Sequence, residues 1–384
     1  MTTPPILAEP PSEVRRPLSE PGAQSNSLQV WLLRLASALI IPAVLAVFFV
    51  TFEFLQREDT NKLLQVLVAL IVGVGGVWAL YWGMDRAITA MPDRVGTAVR
   101  PFAFAGPAMV LLGFYLVYPA VRTLILSFQN SSGTEFVGLS NFVTIFTESV
   151  YLISMRNSII WVLVVPLLAV GIGLGFATLA DKLGSKSESA AKSLIFLPMA
   201  ISFVGASVVW RFIYNFRPEG FGEQIGLLNA VWTAFGGNPV NWLQAPVWNN
   251  LFLMIILVWL QTGFAMVILS SAIKAVPDDM LEAARLDGAN EWEVFRRIVI
   301  PTIASTLVVV WTTVIITTWK VFDIVFVMTG GGFDTSVVAE RMVTEFFTFG
   351  NDGIGAALAV VLFLAVVPIL VINIKRFKEQ EATR

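Results

Sequence analysis

The side chains on which much enzyme chemistry depends are missing from this sequence. Its 384 residues include no Cys and no His. There is thus no thiolate nucleophile, no disulfide and no Cys-ligated metal. The usual proton relay, general base and zinc ligand are missing too. No G-x-x-x-x-G-K-[ST] phosphate loop occurs, so any ATP that drives this chain must be bound by another. The net charge of −2 gives no reason to expect nucleic acid. No catalytic or metal-ligating set is expected. What remains is the chemistry of recognition.

Two groups of residues can do that chemistry. Trp259, Gln261, Thr262 and Phe264 interrupt one aliphatic run, and Thr317, Thr318 and Trp319 close another. Aromatic rings cover the apolar faces of sugars, while amides and hydroxyls meet the sugar hydroxyls. For Thr262 and Thr317 the alternative is helix–helix hydrogen bonding. Lys320 and Asp323 follow directly, three residues apart, which puts them on one helical face and lets them pair. They either line an outward-facing cavity or form an interfacial salt bridge with Lys320 snorkelling to water.

A third stretch, residues 274–301 (KAVPDDMLEAARLDGANEWEVFRRIVIP), is polar between long apolar runs. It reads as two short helices joined by a turn. Asp279 caps the first, with Glu282 completing an approximate capping box. That helix runs from Met280 to Asp287 and stops at Gly288, which suits a left-handed position. Asn290 caps the second helix, with Glu293 at its third position. Trp292, Phe295 and Val299 recur at helical spacing and form one apolar face. Such a hairpin is too polar to span a bilayer and too short to make a core, so it reads as a docking element on a membrane surface.

The elements around these residues are membrane spans. The chain is 56% hydrophobic and 14% charged, with mean hydropathy +0.77, against about 25% charged residues in soluble domains. The expected fold class is all-α integral membrane. With about 20 apolar residues per span, about eight helices are expected. They lie near 31–54, 63–83, 103–126, 158–180, 192–214, 250–273, 303–322 and 355–374. Residues 1–28, rich in Pro, Ser and Glu, read as a disordered tail. Residues 29–100 make a two-helix hairpin and linker, and 101–384 the main domain. Most of the 25 basic residues fall inside if both termini are cytoplasmic, and the 274–301 hairpin is then cytoplasmic too. Gly171, Gly173 and Gly175 read as a close helix-packing surface, and Gly330 to Gly332 as a flexible outer turn. Trp232, Trp242 and Trp248 lie in an outer loop, as interfacial anchors or as contacts for another protein.

Glu282-Ala283-Ala284, Gly288, Ile298 and Ile300-Pro301 at this spacing resemble the EAA loop of ABC-importer permeases, with Ile300 where the family usually has Leu. Tyr118-Pro119, Ser127-Phe128 and the run Phe136 to Phe142 look like the opening of the sugar-type members. Leu197-Pro198 and Trp210 fit the middle of that pattern. Thr329 to Gly332 resembles the family's T-x-G-G-P motif, with Phe333 in place of Pro. The likeness covers about residues 101–376 and is to maltose-transporter-like carbohydrate permeases of the larger, extra-helix type, with the alpha-glucoside permeases looking closest. The Ser127–Asn157 loop is too short for the folded insertion that maltose-type relatives carry.

The resemblance implies a six-helix permease core behind an N-terminal helical hairpin, in the inner membrane of a bacterium. It implies a second six-helix permease, two ATP-binding subunits that hold ATP and Mg, an extracytoplasmic sugar-binding protein, and no cofactor in this chain. Glu282, Ala283, Ala284, Asp287, Gly288, Ile298 and Pro301 would couple to the ATPase. Trp259, Gln261, Thr262, Phe264, Thr318, Trp319, Lys320 and Asp323 would face the sugar, with Trp259 aligning best. The chain itself is expected to be non-catalytic. The rivals are a glycerol-3-phosphate or other polyol permease, an ion-coupled secondary transporter, which would favour central carboxylates and inverted repeats, and a membrane scaffold that uses the hairpin as an anchor.

Overall fold

The computed structural model describes residues 42–57, 60–89, 91, 93–218 and 220–382. The expected tail at 1–28 and the start of the first span lie outside them. The chain divides into two compact units, Met1–Tyr118 and Pro119–Arg384.

Among the described residues the first unit contains α1 (Pro42–Leu55), α2 (Lys62–Thr89) and α3 (Asp93–Leu112). Gly76 of α2 lies against the Phe48 ring, where a Cβ would come within 2.6 Å. Buried Gln65 donates its amide to the carbonyl of Arg57 (2.7 Å), satisfying a backbone acceptor that the turn leaves open. Tyr81 stacks on Phe104 at 5.9 Å, and Arg100 pairs with Asp85 at 2.8 Å.

The second unit begins at Pro119, inside α4 (Tyr118–Leu126), and continues with α5 (Ser140–Thr147). The loop between them is tied by Asn141, whose amide donates to the carbonyls of Ser127 (2.9 Å) and Gln129 (2.7 Å). The remaining helices are α6 (Ser149–Ala180), α7 (Ser185–Phe196), α8 (Phe203–Ile213), α9 (Leu227–Ala234), α10 (Trp248–Lys274), α11 (Asp278–Leu286), α12 (Glu291–Val294), α13 (Ile300–Thr302), α14 (Ala304–Trp319), α15 (Asp323–Thr329), α16 (Val338–Val343) and α17 (Asp352–Ala382). No strand occurs among the described residues, in keeping with a bilayer solvent that offers the backbone no hydrogen bonds.

Five helices are long and apolar enough to cross a membrane, and two bent pairs raise the number to seven. The most apolar stretch of α10 is 61% buried, against 33% for α6 and 6% for α2. Helix α10 is therefore the centre of its unit and packs on α6, α7, α8, α14 and α15. Close approach is made by glycines at two points. A Cβ on Gly173 would meet Ala265 Cβ at 2.7 Å, and one on Gly263 would meet the Ile195 carbonyl at 2.5 Å. Of the three-glycine pattern only Gly173 packs this way, since a Cβ on Gly171 or Gly175 would meet open space.

Two expected spans are not straight. The 192–214 span is α7 and α8 at 102°, with the 3₁₀ turn Leu197–Ala200 between them. Pro198 lacks the donor to continue α7, and Ser202 accepts from the Gly205 amide to start α8. The 303–322 span bends by 72° where α12 and α13 give way to α14. In α14, Thr312, Thr313, Thr317 and Thr318 each return their hydroxyl proton to the carbonyl four residues back, so these polar side chains are satisfied within an apolar helix.

Candidate functional site

The 274–301 stretch is a helix–turn–helix at one end of the α6–α10 pair. Helix α11 is preceded by Pro277 as N-cap, with no side-chain cap. The expected Asp279 cap is therefore corrected: both Asp278 and Asp279 lie inside the first turn, where carboxylates meet the positive helix end. Helix α11 ends at Leu286, one residue before the expected end. Gly288 has φ +89, and the Ala289 amide returns to the Ala284 carbonyl at 3.0 Å. A Cβ at 288 would meet nothing within 4 Å. The requirement for glycine there is backbone conformation, not space. The expected second cap is present: Asn290 accepts from the Glu293 amide (3.0 Å) and the Asn290 amide donates to Glu293 (3.1 Å). From Phe295 to Val299 the helix widens into a π turn before Pro301.

One side of this hairpin is pressed onto the helix bundle. Leu281, Ala284, Ala289, Phe295 and buried Val294 and Val299 join the main apolar core. Trp292 does not: it is 65% exposed and only tilts against Phe295 at 5.7 Å. The expected Trp292–Phe295–Val299 face is thus corrected to Val294, Phe295 and Val299. The outward side carries exposed Glu282, Ala283, Asp287 and Pro301, with Ile298 half-buried. It also shows bare Met280 (47% exposed) and Leu286 (89% exposed) beside Trp292.

Charge clasps the hairpin internally and to its neighbours. Arg285 of α11 reaches Glu291 of α12 at 3.0 Å. Glu291 holds the Arg285 guanidinium above its ordinary range, so that side of the clasp stays charged. Glu188 of α7 bonds Lys192 and reaches Lys274 at the end of α10 at 2.7 Å. A cavity of about 520 Å³ separates the hairpin from the ends of α6 and α10, between Thr178, Asp181, Lys274 and Phe295.

The residues expected at the sugar are placed on two neighbouring regions. Trp259, Gln261, Thr262 and Phe264 lie on α10, which packs against both α14 and α15. Trp259 is half-buried and meets Trp210 edge-on at 5.7 Å. Gln261 is half-buried with no hydrogen-bond partner among the described residues, but at two residues' spacing it faces a different side of α10 from Trp259. Thr262 is buried and bonded to the Val258 carbonyl, and Phe264 packs on the core. Thr318 is buried and bonded to the Val314 carbonyl. The Trp319 indole donates to the Leu362 carbonyl of α17 at 3.1 Å.

Lys320 and Asp323 do not share a helical face. Lys320 closes α14, Val321 and Phe322 are non-helical, and Asp323 opens α15. No ion pair joins them among the described residues. Trp210, on α8, was not among the expected site residues. Its Nε1 is buried without an acceptor, directly beside Trp259. Its indole in a predicted span was the signal available.

The turn after α15 is ordered by unusual backbone. Gly330 and Gly331 have φ +60 and +76, and Phe333 and Asp334 follow at +54 and +57. Proline cannot take φ +54, so the Phe at 333 marks a turn of different shape from one that carries Pro there. A Cβ on Gly331 would strike the buried Glu340 carboxylate at 2.5 Å.

Comparison with known proteins places the chain. Residues 171–381 match the family described as "Binding-protein-dependent transport system inner membrane component". An osmoprotective compounds uptake permease of Synechocystis sp. is 51% identical, over 73% of this chain and all of that one. An alpha-glucoside transport system permease of Rhizobium meliloti is 44% identical, over 82% of this chain and 97% of that one. A chain of a bacterial ABC transporter involved in alginate import shares the fold, with TM-score 0.65 at 18% identity over 75% of this chain and 99% of that one. With the hairpin, the bent spans and these likenesses together, the chain belongs to the family of inner-membrane components of binding-protein-dependent transport systems.

Proposed function

We propose that this permease is one of two membrane subunits of an ATP-driven importer that carries an α-glucoside, of maltose or trehalose type, by alternating access. A binding protein delivers the sugar outside. Two ATP-hydrolysing subunits, which hold ATP and Mg, close inside, and the 274–301 hairpin carries that motion into α10 and α14. Both termini are then cytoplasmic.

The observation that carries this reading is the outward side of the hairpin. Met280, Leu286 and Trp292 stand bare on an otherwise charged surface, which is the pattern of a protein-docking patch. Glu282 and Asp287 supply charge to the cleft that receives it. Gly288 supplies the reversal, exposed Ala283 lets the two proteins approach closely, and Ala284 seats the hairpin on the bundle. Ile298 and Pro301 join the hairpin to α14. For the sugar, the orphaned Trp210 N–H and the Trp259 ring offer a donor beside a stacking face. The relative of 44% identity named for alpha-glucosides supports the substrate class. The 51% relative supports a second substrate, an osmoprotective solute, which the same assay separates.

The test is purification from the native membrane in mild detergent, followed by reconstitution. The proposal predicts a co-purifying chain with a Walker phosphate loop, a second permease, and ATP-dependent uptake of labelled maltose or trehalose. Uptake driven by an ion gradient in vesicles without an ATPase would contradict it.

A further inference from the structure

At the end of α6 and α10 opposite the hairpin lies a second cavity, of about 670 Å³. Three stretches build it: residues 156–164 in the first half of α6, residues 244–254 around the start of α10, and the 333–334 turn. All three non-glycine residues with positive φ among the described residues lie on its wall: Val247 (+70), Phe333 (+54) and Asp334 (+57). A β-branched valine in that region is a genuine outlier. Such strain persists only where the surroundings impose it, and it gathers at ligand sites.

At Phe333 and Asp334 three amides impose it. Asn157 donates to the carbonyls of Asp334 (2.7 Å) and Ser336 (2.9 Å). Asn249 donates to the Phe333 carbonyl at 2.6 Å, and Asn250 donates to that of Asp334 at 3.3 Å while accepting from the Trp161 indole at 3.1 Å. The buried amides are thus spent on holding the turn in place. What they leave facing the cavity is a different set. The Trp248 ring is 61% exposed and the Phe333 ring 55% exposed. Among the described residues the Gln244 amide and the Asp334 carboxylate have no partner, and the exposed Arg156 guanidinium makes one hydrogen bond of 3.3 Å, to Asn157. Two open aromatic faces, one guanidinium, one carboxylate and one amide around a cavity of this size match a glycosyl unit, with rings for its C–H faces and planar polar groups for its hydroxyls.

We propose that this cavity is an outer receiving site for the transported sugar, separate from the Trp259 region. Trp248 and Trp259 lie on the same helix, about three turns or ~16 Å apart, and so on the same face. A sugar released by the binding protein is held first at Trp248 and Phe333 and then passes along α10 to Trp259 and Trp210. The proposal rests on the glucoside reading above.

The natural absence of Cys makes the test direct. Gln244→Cys is introduced as the one thiol of this chain, and its maleimide labelling is followed in the full transporter complex. Millimolar maltose or trehalose alone is expected to slow labelling several-fold. Adding Trp248→Ala removes the protection, through a roughly tenfold loss of affinity, and Trp248→Phe retains it. Protection by the unliganded binding protein and not by sugar would overturn the proposal and make the cavity a protein-docking surface. No protection from either would overturn it as well. Wild-type uptake of the same two sugars is measured in parallel. Uptake without protection sinks the receiving site alone, while no uptake of either sugar sinks the glucoside reading and the site with it.

Discussion

At the hairpin end, the hairpin beneath the α6–α10 pair is closed by short-range devices: a left-handed Gly288, a capping box at Asn290 and Glu293, and an ion pair from Arg285 to Glu291. At the far end the same pair is held by long-range ones. Amides of Asn157, Asn249 and Asn250 reach across the fold to carbonyls of a strained turn, and charged and aromatic side chains stand open around a cavity. One end is clasped internally and offers bare apolar side chains outward, as a surface that receives force should. The other end fixes its backbone at a cost and keeps its side chains free, as a surface that receives a ligand should. Between them runs α10, in close contact with α6 at Gly173 and with α7 at Gly263, a packing that ties the two ends together.

That last statement gives the largest expected effect. Gly263→Val drives a branched side chain into the backbone of Ile195 and Phe196, with no flexible group to yield. A loss of about 3 kcal/mol is expected, read as a collapse of the thermal midpoint and of assembly in detergent. A stable, assembled Gly263→Val would break the picture of a rigid link between the two ends.

Gly288→Val comes next. The site has room for the side chain but not the backbone for it, so the penalty is conformational, about 1–2 kcal/mol. The expected outcome is retained ATP hydrolysis with lost uptake, or failed assembly. Gly288→Asn, which tolerates left-handed geometry better, should recover part of the coupling. Equal damage from Asn and Val would show that space decides, against the geometry.

Asn290→Ala removes the side-chain half of the capping box, leaving the backbone N–H of 290 to donate to Glu293, and should cost about 1 kcal/mol, seen as faster hydrogen exchange confined to 290–299. Val247→Gly sharpens the comparison by its opposite sign. It relieves strain at the far end and should raise stability by about 1 kcal/mol. A loss of stability would mean that Val247 is not strained. Arg285→Ala should leave the thermal midpoint nearly unchanged, because both partners are exposed and screened.

The contrast also explains what the sequence disclosed. Gly288 and the Asn290–Glu293 box were legible because each device is completed within a few residues. The Asp279 cap was misplaced because Pro277 starts the helix two residues earlier, and a carboxylate in the first turn resembles one at the cap. The bends at Ser202 and Ile303 were hidden by apolar residues that continue across them. Lys320 and Asp323 have helical spacing, and nothing local announces that α14 ends between them. Trp292 has the right period for the packed face but stands clear of it, because the outward side of the hairpin carries apolar residues too, Met280 and Leu286 among them. The far cavity could not be read at all: residues 156, 244, 248 and 334 are brought together by the fold, and only Trp248 carried any signal of its own.

The central claim is that the bare side of the hairpin is seated in an ATP-hydrolysing partner. A photo-crosslinking amino acid at Leu286, which is 89% exposed, tests it in native membranes. The account predicts one dominant adduct, whose second chain carries a Walker phosphate loop, and a weaker adduct when Gly288→Val distorts the turn. Crosslinking to lipid alone, or to a chain without such a loop, would contradict it.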